Sequence, residues 1–93
     1  MTPYCFILCM LLLAASAEDL ADLDLNTIDE FYDAIGACSN RAMALGLGRL
    51  DCQDCVQILY DRCNSFCYIN HVCSEKCRKA RTYGRFSCKA NLN

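Results

Sequence analysis

The sequence predicts an all-α fold, a small disulfide-stapled bundle of four to five short helices. Three observations carry that expectation. Short runs of apolar residues recur at helical spacing, each opened by a capping residue. No period-two alternation runs far enough to make a strand. Ten cysteines in 93 residues suit a chain too short to bury a large interior.

The N-terminus sets the compartment. After Met1-Thr2-Pro3-Tyr4 comes the uncharged run CFILCMLLLAA, ending in Ala15-Ser16-Ala17 before an abrupt acidic turn at Glu18-Asp19. Small residues at the minus-three and minus-one positions read as a secretory signal peptide over 1–17, cut after Ala17. A spanning helix needs about 20 apolar residues, more than this run supplies. Cleavage removes Cys5 and Cys9 and leaves Cys38, Cys52, Cys55, Cys63, Cys67, Cys73, Cys77 and Cys88. An even count in an exported chain of about 76 residues reads as four disulfides formed in an oxidising route. The expected location is extracellular.

Residues 18–26 read as an acidic arm or leader, and 27–93 as a single cysteine-rich helical domain. Thr27-Ile28-Asp29-Glu30 has the form of a capping box. Ile28, Phe31, Tyr32 and Ile35 follow at helical spacing, and Gly36 ends that helix. Ser39 or Asn40 caps a second helix through Ala42, Met43 and Leu45, stopped by Gly46 and Gly48. Asp51 caps a third, with Val56, Leu59 and Tyr60 on one side. A fourth lies near Cys63–Tyr68. A fifth starts after Asn70-His71 and carries Cys73 and Cys77. The stretch Thr82-Tyr83-Gly84-Arg85-Phe86 reads as extended or looped.

Charge divides the chain. Seven acids and no base lie between Glu18 and Ala37, whereas nine bases and four acids follow Cys38. Lys76, Arg78, Lys79, Arg81, Arg85 and Lys89 succeed Glu75 with no acid among them. They make either a basic face for an anionic partner or a solvated surface offset by the acidic segment. Nucleic acid is not an expected partner of an exported chain with this balance.

Six cysteines crowd the 26 residues from Cys52 to Cys77, and three uses compete for them. Cys52-x-x-Cys55 with Cys63-x-x-x-Cys67 has ligand-like spacing for zinc, but an exported chain meets oxidising conditions first. A lone Cys-x-x-Cys outside a strand-helix setting is a weak redox signal. The single histidine, His71, has no acid or serine constellation around it and reads as a turn residue. Structural bridges remain. Cysteines three or four apart share a helix face, so Cys52 with Cys55, Cys63 with Cys67, and Cys73 with Cys77 each aim two sulfurs at a neighbour. No catalytic, cofactor or metal residues are expected.

The order Cys38, Cys52-x-x-Cys55, Cys63-x-x-x-Cys67-Tyr68-x-Asn70-x-Val72, Cys77 resembles the arthropod crustacean hyperglycaemic hormone and ion transport peptide family. It also resembles that family's venom-recruited members in spiders and centipedes, including the low-molecular-weight proteins that accompany latrotoxin. The segments Cys-Gln-Asp-Cys-Val-Gln-Ile-Leu-Tyr and Cys-Tyr-x-Asn-x-Val carry the match over about residues 38–77. The short gap from Cys55 to Cys63, the additional Cys73 and Cys88, the basic tail and the lack of a dibasic site before Cys38 lean towards the venom members.

The resemblance implies the pairs Cys38–Cys67, Cys52–Cys63 and Cys55–Cys77, with Cys73–Cys88 as the added bridge. Eleven residues of straight helix rise about 16 Å, so Cys52–Cys63 needs a short third helix that turns back. A helical hairpin joined by Cys63–Cys77 and Cys67–Cys73 is the rival, among 105 connectivities for eight cysteines. What the resemblance implies of function is a non-enzymatic venom polypeptide, a toxin or toxin accessory. Its partner would be a membrane receptor, an ion channel or a larger toxin. Independently of the resemblance, the basic run closed into a loop by Cys73–Cys88 would present Lys76, Arg78, Lys79, Arg81, Tyr83, Arg85 and Phe86 as one contact surface. A neurohormone, or a membrane-active basic peptide touching the lipid surface, is the alternative.

Overall fold

In the computed structural model, which describes Leu20 and residues 23–92, helix α1 (Ile28–Gly36) begins where the sequence places its cap. The Thr27 hydroxyl accepts the Glu30 amide at 3.2 Å, and the Glu30 carboxylate accepts the Asn26 amide at 3.1 Å. The hydroxyl half of the capping box is therefore formed, while the Glu30 carboxylate reaches one residue past the cap to Asn26 instead of Thr27. The expected signal peptide, with Cys5 and Cys9, lies outside the described residues.

Helix α2 (Cys38–Leu45) follows after Ala37 alone, without the side-chain cap expected from Ser39 or Asn40. It stops at Gly46, whose φ of 68° is the left-handed conformation that glycine adopts without strain. The Leu47 amide then donates to the Ala42 carbonyl at 2.8 Å, closing the helix end.

Two expectations are overturned beyond this point. The third and fourth helices are one continuous helix, α3 (Arg49–Cys67), capped at Gly48 rather than Asp51. The stretch expected to be extended, Thr82–Phe86, lies inside a single 21-residue helix, α4 (His71–Asn91). Gly84 reads in the sequence as a helix breaker. In the structure it is buried, and a Cβ there would sit 2.9 Å from Ile35 Cγ2 and 3.0 Å from Val56 Cγ2. At Gly84 α4 lies against α1 and α3 without room for a side chain, and that packing overrides its low helix propensity.

Asn70 caps α4, its side-chain oxygen accepting the Cys73 amide at 3.0 Å. The chain reverses between α3 and α4 in the tight turn Cys67–Asn70, closed by the Asn70 amide on the Cys67 carbonyl at 3.0 Å. Among the described residues, four helices of eight residues or more form the bundle, and there is no strand.

The eight cysteines among the described residues are all paired, as Cys38–Cys55, Cys52–Cys88, Cys63–Cys77 and Cys67–Cys73. The pairing implied by the resemblance (Cys38–Cys67, Cys52–Cys63, Cys55–Cys77, Cys73–Cys88) does not occur. The reason is helix length. Cys52 and Cys63 lie on one unbroken helix about 16 Å apart, and Cys73 and Cys88 on another about 22 Å apart. A bridge tolerates about 4.4–6.8 Å between Cα atoms, and the observed bridges span 5.3 to 5.8 Å.

Three of the bridges share one register. Cys67 and Cys73 lie three residues either side of Asn70, Cys63 and Cys77 seven, and Cys52 and Cys88 eighteen. At about 100° per residue, offsets of 3, 7 and 18 fall on one face of a helix. So α3 and α4 form an antiparallel hairpin riveted along one seam, and Cys38–Cys55 ties α2 to it.

The core sits where α1 crosses this hairpin. Phe31 and Ile35 of α1 meet Val56 and Leu59 of α3 and Ala80 of α4. Seven of the fourteen buried hydrophobic residues are cysteines, so bridges and core are the same material. Leu20 is buried, and Leu23 and Leu25 are packed against the core. Arg62 of α3 holds that segment by donating to the carbonyls of Leu20 and Leu23 at 2.7 and 2.8 Å.

Candidate functional site

The burial pattern of α4 is a direct result of its cysteine spacing. Cys77, Ala80, Gly84 and Cys88 form the buried stripe, with Cys73 partly covered. Most residues at other angles face outward, with Ser74, Arg81 and Ser87 partly covered. Lys76, Lys79, Tyr83 and Phe86 recur at three- and four-residue intervals and are all exposed, as are Arg78, Thr82, Arg85 and Lys89 beside them. Tyr83 and Phe86 are 57 and 69 % exposed, far more than rings of this size normally are in a packed domain.

Two shallow depressions flank Phe86. One, of about 390 Å³, is lined by Arg78, Lys79, Thr82, Tyr83 and Phe86. The other, of about 380 Å³, is lined by Gln53, Arg85, Phe86 and Lys89. Both join an apolar ring to cations, a combination that receives an anionic group lying against an apolar one. Glu75, the acid that precedes this run, is engaged by Arg78 at 2.6 Å.

Of the seven contact residues expected from the sequence, six lie on this outer surface. Arg81 does not. It is half-buried, with its guanidinium 4.2 Å from the centre of the Tyr60 ring on α3. Arg81 thus packs across the hairpin onto α3.

The ligand-like set Cys52, Cys55, Cys63 and Cys67 is not assembled around one point, because its members bridge to four different partners. The sulfurs that do converge are those of Cys63, Cys67 and Cys77, all within 4.8 Å of one another. Each belongs to a bridge, so the 3.3 Å approach of Cys67 Sγ to Cys77 Sγ is a contact between two disulfides, with no thiol to donate a hydrogen bond. His71 is exposed in the first turn of α4.

The structure also presents a surface outside the contact set expected from the sequence. Phe66, Tyr68, Ile69 and Val72, at the α3–α4 turn, are exposed large apolar residues. The available signal was four such residues within seven positions at a turn, where polar residues are the rule.

The fold and this surface define a disulfide-stapled, all-α polypeptide built around a helical hairpin. Comparison with known proteins finds no family model, no curated protein and no solved structure that matches the chain. No helix among the described residues is long and apolar enough to cross a membrane.

Proposed function

We propose that the chain is an exported, non-enzymatic polypeptide of the venom type, acting by binding a membrane receptor or ion channel through the outer face of α4. One observation carries this reading. The row Lys76, Lys79, Tyr83 and Phe86 stands exposed on a helix whose three cysteines are all bridged to α3. A helix pinned near both ends loses little conformational entropy when it binds, and tyrosine and arginine are common binding anchors.

The four bridges support passage through an oxidising export route. The cysteines Cys73 and Cys88 and the basic C-terminal run, which set the chain apart from the hormones, are the parts that build this face. The bridge pattern is not the one the hormone resemblance implies, so the reading rests on the surface and not on shared connectivity.

The test is saturable binding of labelled native protein to membranes of excitable tissue, before and after the membranes are treated with protease. Binding that competes with unlabelled protein, is lost on proteolysis and weakens in Phe86→Ala or Lys79→Ala supports the reading. Once binding to protein-free vesicles of the same lipids is subtracted, saturable binding that survives proteolysis, or that is indifferent to both substitutions, refutes it.

A further inference from the structure

The tip of the α3–α4 hairpin is an apolar cap that the other described residues leave exposed. Tyr68, Ile69 and Val72 are 82, 79 and 73 % exposed. They cannot fold back to cover themselves, because Cys67–Cys73 closes the turn and Cys63–Cys77 rivets the helices one turn behind it.

The backbone makes the choice of residue sharper. Tyr68 has φ 54° and ψ −115°, the conformation of the first central residue of a type II′ turn, where glycine is strongly preferred. A tyrosine there is strained, and its ring gains almost no burial in return. Strain that packing does not repay points to a role outside the fold.

We propose that this tip docks into the headgroup boundary of an anionic lipid bilayer, with Tyr68, Ile69 and Val72 entering it and Lys76 and Lys79 meeting the lipid phosphates. The depth profile supports this occupant. On α4, Lys76 and Lys79 lie one and two turns behind Val72 on the same face, about 6 and 10 Å along the axis. Interfacial elements bury their apolar side about 5–10 Å into the headgroup region, with cations at the phosphate level. Glu75 beside them is occupied by Arg78, and Asp61, further back on α3, is bonded to Gln57. A bilayer needs no shaped pocket, which suits a convex tip. This docking goes beyond the receptor reading and does not rest on it; the two share Lys76 and Lys79, and variants at Ile69 and Val72, which leave the α4 row intact, separate them.

The experiment is co-sedimentation of the oxidised native protein with phosphatidylcholine vesicles, with and without phosphatidylserine. The native chain is expected to bind the mixed vesicles, more weakly as salt rises. The double variant Ile69→Ser, Val72→Ser is expected to lose about tenfold or more of that affinity, from lost apolar burial. Leu50→Ser, which removes an equally exposed apolar residue far from the turn, is expected to bind as the native chain does. Tyr68→Gly is the decisive variant, because it relieves the turn while removing the ring. It is expected to melt at a higher temperature than the native protein and bind vesicles less well. Three results overturn the proposal: no binding to either vesicle, equal binding by the tip variants, or sedimentation of the lipid-free protein as a dimer that the tip variants abolish.

Discussion

The guanidinium of Arg81 lies over the ring of Tyr60, 4.2 Å from its centre, and so ties the middle of α4 to α3. Arg85, one turn later, projects into solvent beside Phe86. Two arginines of one basic run thus have separate tasks. Arg81→Ala is expected to lower stability by about 1 kcal/mol, the scale of a half-buried cation–π contact. Arg85→Ala is expected to leave the melting temperature unchanged and weaken partner binding. Thermal melts of the two variants, followed by circular dichroism, check the difference; equal melting temperatures would contradict it.

At Gly84 the backbone of α4 packs directly against α1 and α3. An alanine there would gain about 1 kcal/mol of helix propensity. Its Cβ, however, would meet Ile35 Cγ2 at 2.9 Å and the Ile35 carbonyl oxygen at 3.1 Å. A backbone carbonyl cannot rotate away, and overpacking costs about 1–3 kcal/mol. Gly84→Ala should therefore be destabilising and Thr82→Ala, on the exposed face, close to neutral. A Gly84→Ala protein that melts at or above the native temperature would show that the helices can move apart freely.

The bridges should contribute unequally. Cys52–Cys88 closes a separation of 36 residues and Cys67–Cys73 one of 6. By loop-closure entropy these correspond to about 4 and about 2 kcal/mol. Replacing both cysteines of the Cys52–Cys88 pair by serine should consequently lower the denaturant midpoint more than the same change at Cys67–Cys73. Alkylation of the native protein should label none of the eight cysteines. Peptide mapping after partial reduction should return the four observed pairs, and recovery of a Cys52–Cys63 peptide would refute the continuous α3.

Arg49, in the first turn of α3, closes the other end of the hairpin. Its side chain donates to the Leu92 carbonyl at 3.0 and 3.2 Å and to the Lys89 carbonyl at 3.4 Å. A cation is thus placed on the carbonyl-rich end of α4 from a different helix, where the backbone dipole favours it. Arg49→Ala is expected to cost about 1–2 kcal/mol and to fray the last turn of α4. Hydrogen exchange of the amides from Cys88 to Leu92 would report it; unchanged protection there would show that the clamp holds nothing.

The sequence by itself determined the class of fold, because helical spacing, caps and an even cysteine count are local properties. Thr27 with Glu30, Gly46 and Asn70 mark helix ends through bonds to neighbours a few residues away, and all three do so in the structure. The symmetry of Cys52, Cys63 and Cys67 with Cys88, Cys77 and Cys73 about Asn70 was also present in the spacing. It has meaning only once α3 and α4 are each unbroken, and that depends on contacts between helices. Gly84 shows why. Locally it interrupts a helix, but three helices meet there without room for a side chain, and the packing gained outweighs the propensity lost. The fate of Arg81 was hidden for the same reason, since nothing near it in the sequence names Tyr60 as its partner. Local chemistry placed the helix ends; the close approach of helices distant in sequence decided which cysteines pair and which cations remain free to meet another molecule.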